Sequence, residues 1–244
     1  MKLNICHLYP DVLNLNGDWG NIQCLRRRLE WRGIECEITR LPVGAKADFT
    51  QFDLFFMGGG QEFEQQLLLS DLKSGRDREI ISAVEDEKVF LCIGGGFQLM
   101  GQYSKNEDGV QTDFIGALNM YTLTSPERHV GNYMFKRVDD FSGSIVVGFE
   151  SHSGSTYLES GVKPLGEVIV GFGNNGEDKT EGGRYKNVYG SYCHGPLLPK
   201  NPEFADSVLL EALNRRYPGT VLEPIDDYLE LTAHNYMANR LSAK

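Results

Sequence analysis

Twice in this chain an apolar run of strand length stops at three consecutive glycines and gives way to an amphipathic segment: FFMGGGQEFEQ (55–65) and LCIGGGFQLMG (91–101). The runs leading into them, FDLFFM (52–57) and KVFLCI (88–93), are apolar almost throughout. Short runs of that kind belong to strands covered on both faces, as in a parallel sheet flanked by helices. The rest of the first hundred residues agrees. LNICHLY (3–9) and IECEITRL (34–41) read as strands, and GNIQCLRRRLEWRG (20–33) as a helix with Ile22, Leu25, Leu29 and Trp31 toward a core. QEFEQQLLLSDL and DREIISAVEDE read as two more helices. The βαβα order predicts an α/β fold, an open and mostly parallel sheet with helices on both faces.

After about residue 105 the texture changes. NYMFKRV, SIVVGFE and EVIVGFG are strands separated by Gly, Ser and Asp clusters, which predicts antiparallel or mixed additions to the same sheet. GSYCHGPLLP (190–199) returns to a strand and a turn. NPEFADSVLLEALNRRYPG (201–219) reads as a helix with Asn201 at the N-cap, Pro202 at N1 and Gly219 past its end. With no internal repeat, low-complexity tract or linker, residues 1–244 are expected to form a single domain.

Ligands of open parallel sheets sit at the carboxyl ends of the strands. Both glycine turns therefore fall on the functional edge, and GSYCHGP brings His194 to it as well. Neither turn is followed by Gly-Lys-Ser/Thr or spells GxGxxG, so a nucleotide site is poorly supported. LCIGGGFQLMG instead has the form of the strand-to-helix elbow on which hydrolases mount a nucleophile. The reactive position of that elbow is Gly94, which has no side chain.

No other residue fills the gap. The five cysteines are scattered singly without a CxxC pair, the pattern of reduced thiols with neither a disulfide frame nor a metal site. Cys92 lies inside the strand, about 6–7 Å from position 94 along the chain. Cys193 alternates to the face opposite His194. A formal charge of −10 argues against a binder of nucleic-acid backbones. No run approaches a membrane span, and MKLNICHLYP lacks the apolar core of a signal peptide, so a cytoplasmic protein is expected. The basic stretch LRRRLEWRG (25–33) reads as a solvated helix face, and EPIDDYLELTAHNY (223–236) as an amphipathic segment for packing or partner contact.

Taken together, FMGGGQEFEQ, GGFQLMG, GFESHSGSTY and YKNVYGSYCHGPLLPKNP resemble the class I glutamine amidotransferases, and more closely their cobyric-acid-synthase-like branch. Within it, NNGEDKTEGGRYKNVYGSY and HGPLLPKNP are similar to the glutaminase subunits of lipid II isoglutaminyl synthases. The resemblance runs from LNLNGDWGNI (13–22) to the helix after Pro202 and implies a flavodoxin-like sheet. It implies a nucleophilic cysteine at position 94, where a following helix N-terminus lowers a thiol pKa. His194 would be its general base, and the amides of Gly60 and Gly95 an oxyanion hole worth roughly 3 kcal/mol per donor. Gln98 and Arg128 would hold the substrate glutamine, Arg128 as a bidentate clamp on its α-carboxylate. His152 is expected in a structural hydrogen bond, beside Ser151 where the family usually has Asn.

The same resemblance implies a heterodimer with a Mur-ligase-like synthetase that carries the ATP and Mg²⁺. No cofactor is then expected in this subunit, and ammonia would be delivered to the D-glutamate of lipid II. His194-Gly195-Pro196 lacks the His-x-Glu of many class I members, and the resemblance implies that the orienting acid comes from the ligase. With Gly94 the chain is expected not to hydrolyse glutamine by covalent catalysis. Intact motifs all around the gap favour an altered residue 94 over a degenerate homologue. A scaffold that binds glutamine or the ligase without hydrolysis is the alternative from another class. Another hydrolase of this fold, such as a peptidase, would miss the same nucleophile.

Overall fold

The two strands that end in glycine triplets lie side by side at the centre of the molecule. A computed structural model of the chain describes residues 1–139 and 143–243. The first part alternates as β1 (Lys2–Leu8), α1 (Trp19–Glu30), β2 (Glu35–Leu41), β3 (Leu54–Met57), α2 (Glu62–Asp71), α3 (Asp77–Glu85), β4 (Val89–Ile93) and α4 (Gly95–Leu99). It continues as β5 (Tyr103–Lys105), β6 (Gln111–Asp113), β7 (Met120–Arg137), β8 (Ile145–Leu158), β9 (Gly166–Val170), β10 (Thr180–Glu181), β11 (Gly183–Tyr185) and β12 (Val188–Ser191). Two helices close the chain, α5 (Pro202–Arg216) and α6 (Tyr228–Ser242).

The main sheet has the order β11-β12-β4-β3-β1-β2 and is parallel except for β11. Every residue of β3 and β4 is buried, whereas edge strand β2 exposes part of its length. Burial on both faces is why the central strands carry no polar alternation. On one face α1 and α5 contribute Leu25, Leu29, Phe204 and Leu209 to a core with Leu54 and Leu91. On the other, α2 and α3 pack Leu68, Ile80 and Val84 against Phe55 and Phe90. In register, Leu8 lies opposite Met57, Met57 opposite Cys92 and Ser191 opposite Ile93. The loops that follow these strands therefore emerge at one edge.

The later strands do not extend this sheet. They form a second one, β10-β9-β7-β5-β6, with β8 paired to β7. It is antiparallel except where β5 runs alongside β7. The open edge beyond β12 is occupied by the short β11, while β7 and β8 pair with each other over most of their length. Their inner residues Tyr133, Phe135 and Val146 join the α1/α5 core. α6 covers part of the outer face, with Met237, Ala238 and Leu241 against Met134 and Val147.

Asn201 and Pro202 do open α5, and Gly219 lies beyond its end with φ 82°. The Asn201 side chain makes no cap bond, however. It accepts from Val147 N and donates to Val147 O and Leu197 O, fastening the start of α5 to β8. The basic face of α1 is likewise not fully solvated. Arg28 is 2 % exposed and paired with Asp206 and Asp227, and Arg32 shares Asp206. Trp31, placed toward the core by its spacing, is 57 % exposed because the helix ends just before it.

Candidate functional site

At the end of β4 the chain reverses through Gly94, with φ 52° and ψ −115°. Its N–H donates to Ser191 O at 2.8 Å, and its carbonyl accepts Gln98 N at 3.0 Å. The sharp strand-to-helix elbow is thus built in full. A Cβ at position 94 would stand 2.6 Å from His194 Nε2. A side chain at this position would therefore meet the imidazole directly, and the ring would shift to admit it.

The glycine triplet after β3 lies against this elbow. A Cβ on Gly95 would fall 2.1 Å from Gly60 O and 2.8 Å from Gly60 N, an approach that only glycine allows. The Gly60 and Gly95 amides donate to no acceptor among the described residues. Two such donors beside the reactive position can stabilise an oxygen that gains negative charge.

His194 follows β12 and is 1 % exposed. Its backbone pairs with Phe149 of β8, donating to Phe149 O at 2.7 Å, so the second sheet holds it in place. Its Nδ1 faces Asp18 Oδ1 at 3.6 Å, and neither atom has a hydrogen-bond partner among the described residues. Asp18 is fully buried, and its Oδ2 accepts the Gly59 N–H at 2.5 Å. A carboxylate of this chain therefore stands where the resemblance implied one from the ligase.

Gly60, Gly94, Gly95, Gln98, Arg128 and His194 all line one cavity of about 240 Å³. It is a little smaller than the roughly 300–1,000 Å³ of ordinary ligand pockets, which suits a ligand the size of an amino acid. Arg128 sits in the β7 irregularity between Thr124 and His129 and donates to Ser151 Oγ at 3.1 Å. Gln98 has both ends of its amide engaged. It accepts from Gln65 Nε2 at 2.8 Å and donates to the Tyr192 hydroxyl at 2.9 Å. The chain of bonds continues through Thr156 to Thr122. His152 has the expected structural bond, Nδ1 to Gly154 O at 2.9 Å, and it also stacks on Tyr192 at the wall of the cavity.

No cysteine of the chain presents a reactive thiol beside Gly94. Burial pushes the Cys92 and Cys193 thiols far above their ordinary range, and raises Cys6 and Cys24 to about 12 and Cys36 to about 11. Sequence reasoning missed Asp18, Gln65 and Tyr192. Asp18 lies within the LNLNGDWGNI motif, and Gln65 is one turn after Gln61, the residue at the start of α2.

A family model for the CobB/CobQ-like glutamine amidotransferase domain matches residues 4–202. The chain is 39 % identical over 241 residues to the Staphylococcus aureus lipid II isoglutaminyl synthase (glutamine-hydrolyzing) subunit GatD, covering 98 % of this chain and 96 % of the relative. It is 38 % identical over 217 residues to the subunit of the same name from Streptococcus pneumoniae, covering 88 % and 82 %. A glutamine amidotransferase crystal structure from Thermotoga maritima superposes with TM-score 0.56 at 12 % identity, covering 99 % of this chain and 92 % of that one, a likeness of fold.

Proposed function

Since the chain belongs to the CobB/CobQ-like glutamine amidotransferase family, we propose that it is the glutaminase subunit of a two-subunit amidating enzyme. Its ammonia would pass to a Mur-ligase-like synthetase, which activates the D-glutamate carboxyl of lipid II with ATP and Mg²⁺ in the cytoplasm. The names of the two GatD relatives support this assignment over most of the chain. The observation that carries it is the preserved elbow at Gly94, facing His194 Nε2 and flanked by the Gly60 and Gly95 amides.

In a form with cysteine at position 94, His194 Nε2 takes the thiol proton as sulfur attacks the glutamine carboxamide carbon. The Gly60 and Gly95 amides hold the resulting oxyanion. His194 returns the proton to the leaving nitrogen, ammonia departs, and water then hydrolyses the thioester to glutamate. Arg128 clamps the α-carboxylate, and Gln98, fixed by Gln65 and Tyr192, forms the floor beside it.

As it stands, Gly94 supports a second reading, a scaffold that binds glutamine or the ligase without hydrolysis. Both readings are tested by assembling the chain with its synthetase subunit and following glutamate release and lipid II amidation. The unsubstituted complex is expected to use ammonium salts and release no glutamate from glutamine. Gly94→Cys is expected to raise glutamine hydrolysis by about 10³-fold or more, the scale on which triad nucleophiles matter. A Gly94→Cys complex that folds and binds glutamine yet releases no glutamate overturns the glutaminase reading and leaves the scaffold.

A further inference from the structure

Asp18 has one oxygen committed and one unused. Oδ2 accepts the Gly59 N–H, which ties the residue before α1 to the glycine turn after β3. Oδ1 has no hydrogen-bond partner among the described residues, although the residue is 0 % exposed. A buried carboxylate oxygen left without a donor costs stability, so its orientation calls for a reason. The capping need of α1 does not supply one. Asp18 makes no side-chain cap bond, and the Trp19 N–H is taken by Asn14 Oδ1 at 2.8 Å.

The group that Oδ1 faces is the Nδ1 edge of His194, itself buried and without a hydrogen-bond partner among the described residues. At 3.6 Å the pair is longer than a hydrogen bond, but catalytic contacts in unliganded sites are often long and tighten when substrate binds. Gly94 lies against the opposite ring nitrogen, with its Cβ position 2.6 Å from Nε2. The imidazole is thus bracketed, carboxylate at Nδ1 and elbow at Nε2.

We infer that Asp18 is the positioning residue for His194, holding the proton on Nδ1 so that the Nε2 lone pair points at position 94. A carboxylate can only accept at Nδ1, which selects the Nδ1–H tautomer and favours the imidazolium formed in the proton transfer. The chain then carries an orienting acid of its own. Because Oδ2 is anchored to Gly59, the same side chain keeps the histidine in step with the turn that carries the Gly60 amide. The kinetic part of this inference rests on the glutaminase reading, while the tautomer does not.

The test uses the full chain labelled with ¹⁵N-histidine, with imidazole nitrogen shifts recorded at a pH high enough to leave the rings neutral. His194 is expected as the Nδ1–H tautomer. Asp18→Asn can keep its oxygen on the Gly59 N–H and present its N–H₂ to Nδ1, so it is expected to switch His194 to Nε2–H. Asp18→Ala, which removes both contacts, is expected to leave a mixture of tautomers. In the Gly94→Cys chain assembled with its synthetase, Asp18→Asn is expected to lower kcat for glutamine hydrolysis by about a hundredfold or more, with KM within about twofold. A predominantly Nε2–H ring in the unsubstituted chain overturns the inference, as does a tautomer and kcat that neither substitution moves. If Gly94→Cys itself releases no glutamate, the glutaminase reading fails and the tautomer measurement still decides the role of Asp18.

Discussion

A residue with a side chain held at φ 52°, ψ −115° carries strain on the order of 1–3 kcal/mol, and glycine at position 94 avoids it. The bend persists because its neighbours impose it: Ser191 O takes the Gly94 N–H, and the first turn of α4 takes its carbonyl. A cysteine placed there would bring that strain with it. Gly95 answers to a different constraint, since a methyl at that position meets the Gly60 backbone and no flexible side-chain tip can yield. Gly95→Ala is therefore expected to cost about 1–3 kcal/mol or more, read as a fall in the urea midpoint. In the Gly94→Cys chain it should also depress turnover, because the two free amides separate. The vacancy at position 94 was legible in the sequence, as the triplet fell between an unmistakable strand and helix. Asp18 was not, because local pattern marks it only as a residue before a helix, and its meeting with His194 exists only once β1 and β12 share a sheet edge.

Elements were legible where periodicity is local. All four parallel strands of the first part and the helices between them lie within a residue or two of their expected positions, except that α1 stops at Glu30, three residues short of its expected end at Gly33. Alternation predicts a strand but not its partner, and so the later strands were assigned to the wrong sheet. α1 makes a related point. Its buried stripe is Leu25, Arg28 and Leu29, continued just past the helix by the Arg32 side chain, and the arginines keep helical core spacing and read as solvated until their acids are known. Arg28 donates two hydrogen bonds to each of two carboxylates, Asp206 on α5 and Asp227 just before α6. Asp206 also receives Arg32, so Asp206→Ala strips two buried guanidinium groups at once, whereas Asp227→Ala weakens one. Breaking a buried pair costs about 3–5 kcal/mol. The Asp206 substitution is expected to approach that range and to exceed the Asp227 substitution clearly in urea unfolding at neutral pH.

At the scale of the molecule, the site is a seam between two sheets. The elbow and the glycine turn come from the main sheet, Arg128 and Ser151 from the second, and His194 bridges them through Phe149. Beneath the seam a fully buried carboxylate, Glu181 on β10, accepts from Tyr133 of β7, Ser191 of β12 and Tyr192 N. Burial pushes this group up to about 7 from an ordinary 4.5, and the three donors offset only part of that cost. The folded state therefore holds a proton between about pH 4.5 and 7 that the unfolded chain has released. Stability falls as pH rises through that window, by roughly 3 kcal/mol at about 1.4 kcal/mol per unit. Glu181→Gln keeps the shape and removes the titration. It is expected to flatten the stability–pH curve between pH 4.5 and 7 and to be neutral or stabilising at pH 8, followed by thermal unfolding across that range. In the Gly94→Cys chain, a loosened seam would appear as a higher KM for glutamine, because Arg128 and the elbow sit on opposite sides of the joint that Glu181 ties.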